Sequence, residues 1–448
     1  MSERAREQTT GYLELLRGNR NFRRLFVAQL ISLTGDWFNT VALFTLLLNL
    51  TGSGEAVAFV LILKLLPTFF IGPLAGVVAD RFDRKAIMIA SDVARGLLVL
   101  GFLLVERADQ VWIVYAITAL EITASAFFEP ARSAALPAIV KREELISANA
   151  LSGAAWSVTL ALGAAAGGVV TDAFGRNTAF AIDAASFFVS AVFVFLTRFP
   201  ASPDKDRRAG RRLSFADMTG VTDFIEGARY LRSNPSVLAL LLVKSGWGLG
   251  GGVLLLLTIF GRQIFPMGRD GSTSIGLFYA ARGVGAMIGP MIARAVGGTS
   301  PRTMRQAITL SFFVSAIFYL LFAQAPILAV ALACVVGAHM GGSIQWVYST
   351  TLLQTYVPNR FLGRVFALDL ALVTLTMSIS TYFTGWGLDS AGLSARAMAT
   401  ILGLSFVVPG IIFLIIDHRL SADRNRPPRS DESGLAPEPA TETSFPPA

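Results

Sequence analysis

Twelve apolar runs, each about as long as a membrane-spanning helix, restrict the possible folds of this chain more than any other feature. A helix needs about 20 mainly apolar residues to cross a hydrocarbon core of about 30 Å. The predicted spans are 25–50, 56–78, 87–105, 111–131, 147–170, 179–196, 237–260, 274–295, 308–323, 327–353, 365–388 and 398–416. Only 15% of the residues are charged, too few to cover a soluble globule of 448 residues. We therefore predict an all-α membrane protein with twelve transmembrane helices.

The basic residues alternate in side along the predicted spans. Of the 38 lysines and arginines, 29 lie in the two tails and the even-numbered connections, and five lie in the odd-numbered connections. The positive-inside rule then predicts cytoplasmic termini in a plasma (inner) membrane. The first 24 residues lack an apolar signal segment, so we expect span one to direct insertion. This distribution also accounts for the net charge of +8 without a nucleic-acid partner.

Sequence blocks recur at one spacing of 217 residues. The segment 71–74 returns at 288–291, and Gly168, Asp172 and Gly175 return at 385, 389 and 392. We therefore predict two six-helix pseudo-repeat bundles in the same orientation. The predicted divisions are a cytoplasmic tail (1–24), a first bundle (25–197), a basic linker (198–235), a second bundle (236–418) and a disordered tail (419–448). The amphipathic linker segment 215–231 is predicted either to lie on the inner membrane surface or to be solvated.

The connection between spans two and three carries a specific pattern of small and charged residues. It contains Gly72, Gly76, Asp80, Arg81, Asp83, Arg84 and Lys85. This pattern resembles the signature loop of the major facilitator superfamily, in which a glycine is usual at the position of Asp83. The resemblance implies that Asp80 and Arg84 latch the two halves together on the cytoplasmic side, with Glu129 as a candidate partner for the loop arginines. Small residues at Gly72 and Gly76 are expected to allow close helix approach.

Further segments resemble the exporter branch of that superfamily, which contains enterobactin exporters and macrolide efflux proteins. They lie at 128–131, 136–137, 148–151, 357–358 and 363–366, and the similarity extends from about residue 21 to residue 420. The resemblance implies the major facilitator fold and a secondary active transporter that works by alternating access. The implied function is proton-coupled export of a small amphipathic molecule, such as a siderophore, a macrolide or another drug-like compound.

Spans one, four, seven and ten line the central cavity in the resembled fold, and each contains one ionisable residue here. These residues are Asp36, Glu121, Lys244 and His339. At 1.5 Å per residue they lie about 10 to 18 Å from the starts of their helices, where an unpaired charge costs several kcal/mol. We predict that Asp36 or Glu121 carries the coupled proton. Asn39, Trp247, Ser343 and Trp346 lie close to these residues along the same helices and are predicted to share the cavity.

Less specific roles remain open for the same residues. Asp36 is alternatively a cap for irregular backbone, Glu121 and Lys244 a permanent ion pair, and His339 a core histidine. The other ionisable residues within the spans are predicted to be structural or interfacial: Lys64, Arg95, Asp183 and Arg282. Gly283 and Gly285 indicate close helix packing beside Arg282.

The sequence predicts neither enzyme chemistry nor a cofactor. No serine-histidine-acid set, metal-ligand spacing or phosphate loop is present, and the single cysteine is Cys334. The expected partners are a small-molecule substrate, protons and membrane lipids, and we expect a monomer. Alternatives are a lysophospholipid or lipid flippase, a non-transporting receptor or scaffold, and an intramembrane enzyme.

Overall fold

The computed structural model describes residues 11–199, 221–298 and 300–424, and in this part of the chain every regular element is a helix. Twelve helical segments are long and apolar enough to cross a membrane, as predicted. The spans of the first half are Arg20–Thr51, Gly54–Leu63 with Leu66–Arg81, Arg84–Leu100, Val111–Ile139, Leu145–Phe174 and Arg176–Leu196. Those of the second half are Pro235–Gly248 with Val253–Ile259, Ser272–Gly297, Pro301–Ala323, Leu328–Tyr356, Asn359–Asp389, and Ala395–Ser405 with Val407–Arg424.

Three spans consist of two helical segments; span twelve is broken at Phe406, three residues before Pro409, and the breaks in spans two and seven also lie at residues that disfavour continuous helix. Span two breaks at Lys64 and Leu65, just before Pro67, which lies in the first turn of the next helical segment. Span seven breaks at three consecutive glycines, residues 250–252. A β-carbon on Gly252 would lie 2.7 Å from the β-carbon of Thr384, so the break brings span seven into close contact with span eleven.

The two halves meet along two helix pairs near the end of the molecule opposite the termini, which we call the far end. Spans five and eight cross at Gly168 and Gly276, and a β-carbon on Gly168 would lie 2.7 Å from the carbonyl oxygen of Ser272. Spans two and eleven cross at Gly385, where a β-carbon would lie 2.9 Å from that of Ala58. Gly168 and Gly385 are the repeated glycines, so both crossings follow from the duplication.

The repeated aspartates connect the halves at the same end. Asp389, at the end of span eleven, accepts hydrogen bonds from the Ser53 hydroxyl at 2.6 Å and from the backbone N–H of Glu55 at 2.9 Å, at the start of span two. Asp172, at the end of span five, accepts from the backbone N–H of Arg269 and from the Thr273 hydroxyl, at the start of span eight. Each half therefore supplies an acid that binds the helix N-terminus of the other half. We call these two contacts the far-end latches.

The end that holds the termini, the terminal end, contains two additional helices. Tyr12–Gly18 packs against the protein through Leu15, which is fully buried. The described second half of the predicted tail 1–24 is therefore helical and packed against the protein. Val221–Arg232 lies against span eleven through the Glu226–Arg364 ion pair at 2.8 Å and the stacked rings of Tyr230 and Phe361. The described part of the segment predicted to be amphipathic is therefore anchored to the protein. Residues 200–220 of the linker and 425–448 of the predicted tail lie outside the described residues.

Candidate functional site

A buried ionic cluster forms in the first half around Arg95 of span three. The Arg95 guanidinium lies 2.8 Å from a carboxylate oxygen of Asp36 in span one and 3.5 Å from one of Glu121 in span four. Its second terminal nitrogen lies 4.0 Å from Asp92, and its plane covers the Phe187 ring at 3.9 Å. Arg95 thus joins four helices of the first half, and the Asp36 side chain is the most exposed of the three acids, at 29%.

The cluster contains more acids than bases. Asp183 of span six is fully buried beside Gly35, and Lys64 donates to the Thr40 hydroxyl at 2.9 Å. Four carboxyl groups therefore share this region with two cations, Arg95 and Lys64. One carboxyl oxygen on each of three acids, Asp92, Glu121 and Asp183, is buried without a hydrogen-bond partner among the described residues. Such an arrangement favours bound protons, since an uncompensated buried carboxylate is costly.

The second half contains a separate buried ion pair. The Lys244 ammonium binds the Asp369 carboxylate of span eleven, and both side chains are 4% exposed. The Lys244 nitrogen also lies 4.8 Å from the centre of the Trp346 ring. The pairing of Glu121 with Lys244 is wrong for this structure, because each binds an oppositely charged residue within its own half. Asp36 likewise binds Arg95, and span one is a continuous helix that offers no irregular backbone to cap.

A cavity of about 590 Å³ lies between the two halves. It is bounded by spans five, seven, eight, ten and eleven. Its lining includes Gly153, Trp156, Ser157, Trp247, Arg282, Ala286, His339, Gly342, Ser343, Trp346, Val347 and Met377. Four of the predicted cavity residues are among them, namely Trp247, His339, Ser343 and Trp346. Asn39 is 1% exposed and is buried instead.

Two titratable side chains line this cavity. Arg282 of span eight lies over the Trp156 ring of span five, 5.6 Å from its centre. The His339 Nδ1 is 3.1 Å from the Tyr319 hydroxyl, so His339 is both a bonded core residue and a wall residue. Close helix packing occurs at Gly283 and Gly285, as predicted, and the partners are spans five and ten; a β-carbon on Gly283 would lie 2.6 Å from the backbone nitrogen of Ala161.

Residues 25–381 match the Major Facilitator Superfamily. The chain belongs to this superfamily. It is a multi-pass membrane transporter rather than an enzyme. Its fold also resembles those of the solved nucleoside transporter NupG (TM-score 0.67, 13% identity, covering 88% of this chain and 98% of that one) and the POT family transporter PepTSo (TM-score 0.68, 12% identity, 91% and 99%).

The relatives of this chain include proteins that are named for efflux. Macrolide efflux protein A of Streptococcus pyogenes is 26% identical over 385 residues, covering 83% of this chain and 90% of the relative. BacE of Bacillus subtilis (strain 168), named as a bacilysin exporter, is 24% identical over 398 residues, covering 88% and 93%. The MFS-type transporter YfiS of the same strain is 25% identical over 434 residues, covering 90% and 94%.

The superfamily signature loop is built into the first half of this transporter. Asp83 caps span three by accepting from the Ala86 N–H at 2.8 Å, which accounts for aspartate at a position where glycine is usual. Arg84 donates to the Ala134 carbonyl of span four at 2.7 Å, and Lys85 donates to the Thr197 carbonyl at 3.0 Å. Both contacts join helices of one half. The Asp80 side chain lies outside the described residues, and the latch role of Asp80 and Arg84 stays a prediction.

Two expectations for this loop do not hold in the described conformation. A β-carbon on Gly72 or Gly76 would meet nothing within 4 Å, so neither glycine lies at a close helix crossing. Only the faces of the helix at these two glycines meet open space, since Ala75 and Ala79 of the same segment are buried. The Glu129 carboxylate binds Arg132, three residues further on in its own helix, rather than an arginine of the loop. Arg81 of the loop is not free, since it makes another interaction in the structure.

Several members of the sites were not predicted. Arg95, Asp183 and Arg282 were expected to be structural or interfacial, and Asp92 and Asp369 were not singled out. Each is an ionisable residue inside a span, which is sufficient reason to treat it as a functional candidate. The position of a residue along its span does not by itself reveal that Arg95 joins three acids or that Arg282 lines a cavity.

Proposed function

We propose that this transporter is a proton-driven exporter of small amphipathic molecules in the plasma membrane, with both termini in the cytoplasm. The observation that carries the proposal is the ionic cluster of the first half, where four carboxyl groups accompany two cations. A carboxyl group that binds a proton in one state of the cycle and releases it in another provides the chemistry of proton coupling. The efflux names of the relatives support the direction of transport.

The inter-half cavity is the proposed substrate site. Its volume of about 590 Å³ suits a drug-sized molecule, and three tryptophans, Trp156, Trp247 and Trp346, supply apolar ring surfaces. Because spans of both halves line it, rocking of the halves changes the end from which the cavity is reached. Substrate and proton therefore occupy neighbouring but separate places in this proposal.

The described conformation fits the cytoplasm-open stage of the cycle. The far-end latches hold the extracellular side together, while Gly72 and Gly76 face open space on the cytoplasmic side. Substrate enters the cavity from the cytoplasm in this state. After the halves rock, substrate leaves to the outside. A proton that then binds the ionic cluster at Asp36 from outside drives the return to the cytoplasm-open state.

Asp36→Asn tests the coupling role. The wild type, in inside-out vesicles with an imposed pH gradient, is expected to concentrate labelled 2-naphthoate or its neutral amide, 2-naphthamide, offered in turn. The variant should allow only downhill movement, since an amide at residue 36 cannot exchange a proton. Asp109→Asn is the matched control, because Asp109 is an exposed far-end aspartate paired with Arg107. Uphill accumulation by Asp36→Asn at the wild-type rate would remove Asp36 from the coupling mechanism.

A further inference from the structure

The charge that faces the inter-half cavity is positive. Arg282 lines the cavity and, within the described residues, lies against the Trp156 ring and contacts no carboxylate. The lining residues named above include no aspartate or glutamate. A guanidinium without an acidic partner in a largely apolar wall is costly to maintain.

Neighbouring charged groups do not cancel Arg282. The Lys244 ammonium lies behind Trp346 and is neutralised by Asp369. His339 is engaged by the Tyr319 hydroxyl and carries no negative charge. The acids of the first half surround Arg95 and Lys64 rather than the cavity wall. Arg282 is therefore the charge that lines the cavity without a counter-ion among the described residues, and it attracts an anion and repels a cation.

We propose that the substrate is an amphipathic anion, with a carboxylate, sulfonate or phosphate group bound by Arg282 and a ring-bearing or other apolar body against the tryptophans. This inference rests on the proposed function of the cavity as the substrate site. Arginine suits the role because its fork of N–H donors matches an oxyanion in two simultaneous hydrogen bonds. Trp247 and Trp346, whose ring centres are 6.2 Å apart, form the apolar surface beside it.

Three naphthalene probes of matched size separate charge from ring binding. Tritiated 2-naphthoate, neutral 2-naphthamide and 2-naphthyltrimethylammonium are titrated against the purified full-length transporter in lipid nanodiscs. The anion is expected to bind at least about tenfold more tightly than the amide, and the cation more weakly than either. Equal affinities for the anion and the amide, or a preference for the cation, would overturn the inference.

Variants locate the preference on one side chain. Arg282→Gln should raise the Kd for 2-naphthoate to that for 2-naphthamide, and Arg282→Lys should retain part of the difference. Arg294→Gln is the matched control, since Arg294 lies in the same helix but is exposed near the terminal end. An unchanged anion preference in Arg282→Gln would contradict the assignment. If Arg282→Gln does not fold, the wild-type ranking and Arg282→Lys still decide the question.

The neutral probe separates this inference from the function on which it rests. Binding of 2-naphthamide without an anion preference leaves the cavity as the substrate site and removes only the role of Arg282. Failure of all three probes to bind the folded transporter contradicts the cavity as a site for ring-bearing molecules, and the inference is then lost with it.

Discussion

Lys244 and Asp369 are two opposite charges that share a nearly dry environment. Each side chain is 4% exposed, and the ammonium is further covered by the Trp346 and Phe366 rings. Removing one partner leaves the other buried without compensation, which typically costs about 3–5 kcal/mol, whereas replacing both by apolar residues is often neutral or stabilising. The pair connects spans seven and eleven within one half, so we assign it to stability rather than to coupling.

A double-mutant cycle distinguishes these roles. Lys244→Met and Asp369→Leu are each expected to lower the unfolding midpoint of the detergent-solubilised protein, with a loss of about 3 kcal/mol in unfolding free energy. The double variant should recover most of the loss, since no charge remains unpaired. Transport by the double variant is expected to remain proton-driven. If it were stable but unable to concentrate substrate, the pair would belong to the coupling mechanism.

The sequence predicted how deep individual residues lie in the membrane, but not which residues they bind. The positions of Asp36 and Glu121 within their spans follow from counting along a helix, and both lie in the ionic cluster. Which base each one binds depends on how four helices rotate about their axes, and a single sequence does not encode that directly. Arg95 was therefore underestimated, although the three-residue spacing of Asp92 and Arg95 in span three was visible.

At the level of helices, the crossing of spans five and eight controls how closely the halves approach. Gly168 and Gly276 are in mutual contact there, and a β-carbon on Gly276 would lie 2.9 Å from the Cα of Gly168. The obstructing atoms belong to backbone, which cannot rotate away as a side chain can. A larger residue at this position must therefore separate the far ends of the two halves.

Gly276→Val is expected to shift the population from the cytoplasm-open to the outward-open state. Each 1.4 kcal/mol of differential strain changes the ratio of states about tenfold. Spin labels at residues 107 and 324, in a Cys334→Ser background, report the far-end distance between halves, which should lengthen. Gly297→Val is the control, because Gly297 ends the same helix with nothing within 4 Å. An unchanged distance distribution in Gly276→Val would show that this crossing does not limit closure.

The helices themselves were largely predictable. All twelve spans appear in the predicted order, because length and apolar composition are local properties of the sequence. The interruptions were missed, since the apolar runs of spans two and seven continue through Leu65 and the glycines at 250–252. Glycines permit a helix to break, but whether it does break depends on the helix packed against them, here span eleven, and that contact is not local in the sequence.

Over the whole molecule, the placement of basic residues predicts one orientation in the membrane. Cysteines at Glu143, in a terminal-end connection, and at Asp109, in a far-end connection, are each introduced into Cys334→Ser. An impermeant maleimide added to intact cells is expected to label residue 109 and to leave residue 143 unlabelled until the membrane is opened. Both side chains are exposed, so accessibility from one side is the variable tested. Labelling of residue 143 alone in intact cells would invert the proposed topology.

The far-end latches bear on how such a molecule arose. Asp172 and Asp389 occupy equivalent places in the duplicated halves, and each binds the helix start of the opposite half. In a six-helix ancestor that paired with a second copy of itself, one aspartate would have made both contacts by two-fold symmetry. A mutation there would have altered both sides at once. Once two such copies are joined in one chain, each contact can change alone. Asp389 accepts from the Ser53 hydroxyl and Asp172 from the Thr273 hydroxyl, and these two donors are not at equivalent positions of the repeat.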